Sequence, residues 1–277
     1  MDQANAAPGS DKIVFNIPGA GPHVIRPQTN LPPITEAVDI NGSSQDGIVL
    51  DGEERDPPLG FAAIVLLSDG STVKGLEIRG FTRGVGIVGV GGASSSGNTV
   101  QNNHVHNNDK TGVDLRGFGT GVSISDNTVK DNYIHNNGGL GVAVQVDPGA
   151  TASGNTVKDN HIHDNWGGGM VLGAFDFPAP PASGGALVSG NTVKNNRIHN
   201  NGNEVNGLGG ILLNAADFFD NGINPTVSDN TVKDNEIHGN ARHGIWLSAL
   251  VANNGKATIS NNTIKGNDIE SSTGWGV

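Results

Sequence analysis

The chain contains no cysteine. That excludes a disulfide framework, thiolate chemistry and cysteine-based metal sites. Aromatic residues make up only 4 per cent, with one tyrosine, so any core must be aliphatic. Cationic side chains are scarce: Lys and Arg number 16 against 27 Asp and Glu, a net charge of −11. An acidic balance of that size argues against general nucleic-acid binding. No apolar run approaches the roughly 18 residues of a membrane span, and no signal-peptide pattern stands at the N-terminus. No window carries an apolar stripe at helical spacing.

What the chain has instead is glycine, 43 of 277 residues, and a repeat. The pattern Asn-Thr-Val-Lys-Asp-Asn-x-Ile-His-x-Asn is clearest at NTVKDNYIHNN from Asn127 and NTVKDNHIHDN from Asn155. It returns at Asn98, Asn191 and Asn230, with degenerate copies at Ser71 and Asn262, at spacings of 27, 29, 28, 36, 39 and 32 residues. Self-similarity at such a period is the signature of a solenoid. Thr-Val-Lys reads as one short strand and x-Ile-His as a second. A third follows a glycine-containing turn, as in Val113–Leu115, Val142–Val144 and Met170–Leu172. Alternation in β-branched residues broken by Asn and Gly is a strand pattern. Three short strands in about 28 residues predict one coil of an all-β, single-stranded parallel β-helix, with coils about 4.8 Å apart.

Stacking turns repeat positions into columns. Val73, Val100, Val129, Val157, Val193, Val232 and Ile264 form one inner column, and Ile78, Val105, Ile134, Ile162, Ile198, Ile237 and Ile269 another. Together they bury what one coil alone cannot. Asn103, Asn132, Asn160, Asn196, Asn235 and Asn267 line a bend, where left-handed backbone and side-chain amide bonding between coils are expected. Asn108, Asn137, Asn165, Asn201 and Asn240 form a second such column. Residues 1–10 read as a flexible leader, 11–70 as an N-terminal cap with irregular first coils, and 71–277 as regular coils. The final Gly274-Trp275-Gly276-Val277 begins an unfinished coil, whose open edge predicts self-association there.

NTVKDNYIHNNGGLGVAV resembles the NosD-type β-helix repeat, within the right-handed parallel β-helix (pectin-lyase-like) superfamily of pectate lyases, alginate epimerases and phage tailspikes. The stretch FNIPGAGPHVIRPQTNLPPITEAVDINGSSQDG is similar to the leader of β-helices in large bacterial secreted surface proteins. The resemblance covers nearly the whole chain. It implies a right-handed helix, a secreted or cell-surface location in a bacterium, and a polysaccharide partner. It does not carry over a mechanism. The Asp-Pro-His motif of epimerases is missing, because neither Asp56-Pro57 nor Asp147-Pro148 is followed by His.

The outward columns carry the chemistry. His106, His135, His163, His199 and His238 share one repeat position. Two residues earlier stand Glu77, His104, Tyr133, His161, Arg197, Glu236 and Asp268. Lys74, Lys130, Lys158, Lys194, Lys233 and Lys265 line the strand before, an apparent basic stripe on an acidic protein. Such a stripe matches a linear polyanion. For lysis or epimerisation of a uronic acid, Lys130 or Lys158 would neutralise the carboxylate. His135 or His161 would take the C5 proton, and Tyr133 would serve the leaving oxygen. His104, His106, His163, Arg197, Lys194, Trp166 and Trp246 are the expected substrate contacts. His135 and His163, one coil apart, are a candidate transition-metal pair. Asp176, Asp217 and Asp220, in loops carrying Phe175, Phe177, Phe218 and Phe219, are candidate calcium ligands. Two other readings remain open: a non-catalytic adhesion or spacer module, and a metal-binding histidine column. Like charges in a stack also predict depressed histidine pKa values.

Overall fold

The computed structural model describes residues 1–6, 9–52, 62–176, 184–203, 207–219, 222–252 and 255–270. Every paired strand is parallel to its neighbour one coil away. The first sheet has nine strands, from Asp11–Val14 to Thr263–Lys265. The second also has nine, from His23–Ile25 to Asp268–Glu270. The third has seven longer strands, from Ala62–Leu66 to Ile245–Val251. All three expected strands per coil are therefore present. A fourth sheet of six strands, from Ser95–Ser96 to Thr258–Ser260, was not expected.

The fourth sheet exposes the unit of the repeat, which is five residues long. Ser123–Asn127 (SISDN), Thr128–Asn132 (TVKDN) and Tyr133–Asn137 (YIHNN) are three successive pentads. Each is a three-residue strand with an inward middle residue, then a left-handed residue, then a buried asparagine. The left-handed residues are Asp126, Asp131 and Asn136, with φ of 57°, 55° and 52°. Thus the residue before each ladder asparagine takes the left-handed turn, not the asparagine itself as the sequence suggested. Asn, Asp and Gly occupy these turns because they enter that region at least cost.

The freed asparagines form three ladders, one more than the sequence reading assigned. In one, Nδ2 donates to Oδ1 of the next coil from Asn98 through Asn127, Asn155, Asn191 and Asn230 to Asn262, at 2.9–3.0 Å. A second runs from Asn103 through Asn132, Asn160, Asn196 and Asn235 to Asn267, at 2.8–3.1 Å. The third runs from Asn108 through Asn137, Asn165 and Asn201 to Asn240, at 2.9–3.0 Å. Asn132 shows why burial is tolerated. Its Oδ1 accepts the N–H and Nδ2 of Asn103, and its Nδ2 donates to Val100 O and Asn160 Oδ1. All its polar groups have partners, as a buried amide requires.

The valine and isoleucine columns lie inside as expected, with Val129, Ile134, Val193 and Ile198 fully buried. Each such side chain contributes about 1.5–3 kcal/mol when buried. Residues 11–52 extend the first two sheets, through Asp11–Val14 paired with Val38–Asn41 and His23–Ile25 paired with Ile48–Asp51, which pair in turn with the next coil. Part of the leader is ordered. Asp2–Ala6 is a short helix with Ala4 buried, and Asn5 binds Pro33 O and Thr35 N at 2.8 and 2.9 Å. Phe177, Asp220 and the final Gly274–Val277 lie outside the described residues.

Candidate functional site

Two surfaces stand out on the coil faces. The first is the outer face of the second sheet. Register places His104, Tyr133, His161 and Arg197 in one column and His106, His135, His163, His199 and His238 in the other. The strand spacing sets the ring spacing. His106, His135, His163, His199 and His238 stack in sequence with centroids 4.8–5.0 Å apart and interplanar angles of 3–6°. Tyr133 lies edge-on to His135 and His161 at 4.8 and 5.0 Å, and its ring is 4.9 Å from His163. At 40 per cent exposure it is the most open ring of the cluster. Diagonal contacts tie the two columns. His104 Nε2 meets His135 Nε2 at 2.7 Å, and His161 Nε2 meets His199 Nε2 at 2.6 Å. In such a pair one ring donates its N–H and the other accepts.

Burial pushes His135 and His161 down to about 4, with the neighbouring imidazoles adding to the shift. His104 and His199 move the same way, again with burial first. Depression was expected, but its leading cause is desolvation and not mutual repulsion. The folded pKa therefore lies below the unfolded value of 6.5. The unfolded chain binds the proton more tightly, so stability is full above pH 6.5 and falls as pH drops from 6.5 towards 4. The rings are partly exposed, and water damps the effect. We expect Tm to fall by roughly 5 °C between pH 7 and pH 4.5, and by less in His161→Gln. An unchanged Tm across that range would contradict this placement of the rings.

The structure joins Tyr133, His135, His161, His104, His106 and His163, but not the lysines. Lys130, Lys158 and Lys194 stand on the first sheet, beyond a bend. Lys130 and Lys158 lie 3.8 and 3.7 Å from their own neighbours, Asp131 and Asp159. The left-handed turns recruit these aspartates, so the pattern that builds the bend also weakens the basic stripe. Arg197 is held by Glu236 at 3.2 Å. Trp166 is 66 per cent exposed at a turn, and Trp246 lies on the third sheet against His243 at 4.9 Å. Asp217 is spent on the backbone amides of Phe219 and Lys256, at 3.3 and 2.7 Å. Asp176 is buried beside it in register. For a metal, His135 finds its converging nitrogen in His104, whereas His163 stacks on it face to face.

The second surface is a groove of about 420 Å³ on the outer face of the third sheet. Asn30, Leu31 and Pro33 form one wall, and Val65, Val88 and Phe118 contribute apolar lining. Its floor is charged. Arg83 Nε lies 3.1 Å from Asp114 Oδ2, and Arg116 approaches Asp147 at 3.9 Å with its guanidinium 4.8 Å above the Phe118 ring. Gly86, the register partner of Asp114, leaves the floor open beside it. Burial pushes the Asp114 carboxyl above the usual carboxylate range, against the pull of Arg116 and Arg83. Asp147 rises too, first from burial and then from Asp114, with Arg116 opposing. Among the described residues Asp114 Oδ1, Asp147 Oδ1 and Arg116 Nε are buried without a hydrogen-bond partner.

Residues 34–177 and 181–275 match the family model described as the right handed beta helix region. The chain belongs to the right-handed β-helix family. No curated protein matches this β-helix. Among solved structures it is similar to the pectate lyase Pel9A, at 17 per cent identity over 98 per cent of this chain and 73 per cent of that one, with a TM-score of 0.48. It is also similar to the A-module of the Azotobacter vinelandii mannuronan C-5 epimerase AlgE4, at 16 per cent identity over 91 and 79 per cent, TM-score 0.44. A third is the tailspike protein of E. coli bacteriophage HK620, solved with a pentasaccharide, at 14 per cent identity over 95 and 61 per cent, TM-score 0.32. At these identities the likeness is one of fold.

The groove of this β-helix escaped the sequence reading, although one signal was present. Asp114 and Arg116 interrupt positions held elsewhere by Ala143, Val171 and Leu212, and by Gln145, Gly173 and Asn214. A charge that breaks a copied pattern carries more information than a charge that repeats with it.

Proposed function

We propose that this β-helix binds a stretch of an acidic polysaccharide on its lateral surface, with the third-sheet groove as the seat of recognition. The observation that carries the reading is a pair of buried polar atoms without hydrogen-bond partners on the floor of an apolar cleft, Asp114 Oδ1 and Arg116 Nε. Buried polar atoms cost free energy unless they find partners. A sugar hydroxyl donates to Asp114, and a uronic carboxylate accepts from Arg116. The apolar walls pack against the C–H faces of the sugar ring. The volume sits at the low end of small-ligand sites, about 300–1,000 Å³, which suits a few sugar units of a longer chain running along the coils. A polymer of that size is met outside the cell, consistent with a secreted or surface-attached protein.

Turnover is a second reading, favoured by Tyr133 standing within about 5 Å of the His135 and His161 imidazoles. A neutral imidazole is competent as a general base.

The test pairs binding with chemistry. Acidic and neutral polysaccharides are titrated by calorimetry, and each mixture is followed by proton NMR. The expected result is binding to an acidic polymer, weakened at least about tenfold in Arg116→Gln, the loss that follows about 1.4 kcal/mol, and unchanged in Tyr133→Phe. New anomeric or unsaturated-sugar signals, lost in Tyr133→Phe, would add catalysis. No binding to any polymer at low salt, or full binding by Arg116→Gln, would overturn the reading and favour a spacer or adhesion module.

A further inference from the structure

The second-sheet histidines hold a separate possibility, independent of the groove and its ligand. Three of them, His104, His106 and His135, each offer a ring nitrogen within 4.8 Å of the other two. His104 and His106 are outward residues of one strand, and His135 comes from the next coil. We propose that these three histidines form a binding site for a divalent transition metal, Cu2+ or Zn2+, with its remaining positions open to solvent.

Three features support the site. First, the ligand chemistry fits. Three imidazoles and no thiolate suit copper, zinc and nickel, and copper binds such donors most tightly. Second, the spacing is close to what is needed. His104 Nε2 and His135 Nε2 already point at each other across 2.7 Å. Metal–nitrogen bonds of about 2.0–2.1 Å in tetrahedral array separate nitrogens by roughly 3.3 Å, so the pair opens by a fraction of an ångström. His106, with its ring centroid 4.2 Å from that of His104, completes the set by turning out of its stack on His135. Third, the outer partners suit metal ligands. Glu77 Oε1 lies 3.3 Å from His106 Nε2 and is itself held by Arg79 at 3.0 Å. A carboxylate behind a ligating histidine fixes its ring and raises its basicity.

The same face contains a near copy two coils on, which sharpens the assignment. His161 and His163 share a strand, and His161 Nε2 meets His199 Nε2 at 2.6 Å. There the register neighbour of His161 is Arg197, a cation, and His163 Nδ1 is taken by Asp164 at 2.6 Å. The first triad has neutral Tyr133 in the register position that Arg197 fills beside the second, and Glu77 on its other side. Charge therefore selects the first.

The test uses the metal alone. The full chain is titrated with Cu2+ and with Zn2+ by calorimetry, and the Cu2+ form is examined by electron paramagnetic resonance. The expected result is one tight equivalent per chain with hyperfine structure from three nitrogens. His135→Gln and His104→Gln are each expected to weaken binding at least about tenfold, while His161→Gln binds as the parent does. Fewer than three nitrogens in the parent spectrum would overturn the proposal without any variant. So would equal affinity in the parent and a His104→Gln/His135→Gln double variant, or a loss confined to His161→Gln. Circular dichroism of each variant separates lost ligation from lost fold.

Discussion

Replacing Asn132 with alanine is expected to destabilise the protein by about 3–5 kcal/mol, one of the largest effects of any single substitution. The side chain makes four hydrogen bonds in the middle of its ladder. Truncation leaves the backbone N–H of Asn103 and one of its side-chain N–H groups without an acceptor. It also removes the donor to Val100 O and half of the donor set of Asn160 Oδ1. Each stranded buried donor costs about 1–3 kcal/mol, and the void adds to that. At the far end of the same ladder Asn267 is only partly buried, so water can replace its partners and Asn267→Ala is expected to cost about 1 kcal/mol. Urea unfolding read as a shift in midpoint at constant slope measures both. Similar losses at the two positions would mean that the ladder adds little beyond its backbone.

Gly141→Ala is the second large effect, and its cause is steric. A methyl group at this position would stand 2.8 Å from Gly169 O and 3.0 Å from Asn165 Nδ2, and nearer still to Ile162 Cγ2. Two of these neighbours cannot yield cheaply. One is backbone of the next coil, and the other is a rung of the third ladder. The third-sheet strand must lift away from the second, which pulls on the pairing of Leu140 with Gly168. Overpacking of this kind costs typically 1–3 kcal/mol and here about 3 or more, since backbone must move. Gly86→Ala supplies the contrast on the same sheet. Its methyl meets Val88 and Ala62 at 3.4 and 3.5 Å, ordinary contact, so a change of under about 1 kcal/mol is expected. Thermal unfolding of the two variants side by side decides the matter, and equal Tm values would sink the steric account.

The fold was legible because one residue type did one job at one spacing. Val129 and Ile134 alternate with polar neighbours, and identical alternation recurs about 28 residues on, so the inner columns could be placed without coordinates. The fourth strand was missed because its members, such as Ser123–Ser125 and Thr151–Ser153, carry little apolar signal. Only the Asp-Asn and Gly-Asn pairs that follow them mark the bend. The same pairs misled the assignment of the left-handed residue. Asn and Asp are both tolerated there, and only the hydrogen bonds of Asn132 reveal which of the two is buried. The ring face was legible as a set of columns, but its diagonal contacts were not, since His104 shares a hydrogen bond with His135 and only a ring contact with its own register partner Tyr133. The groove was hidden for another reason. It is assembled by Asn30–Pro33, outside the repeat, lying over Asp114 and Arg116, and no periodic argument links those segments.

The parallel register has a mechanical consequence. Strands lie across the long axis, and the bonds between coils, such as those pairing Thr128–Lys130 with Thr156–Lys158, run along it. A pull along the axis therefore loads the rungs one coil at a time, as in unzipping, and each yielding coil releases roughly 100 Å of chain. A load across the axis meets all the rungs of a coil together, as in shear. A polymer lying along the groove tugs in the first direction, so an attached chain under tension would be resisted by the weakest single coil and not by the sum of all of them.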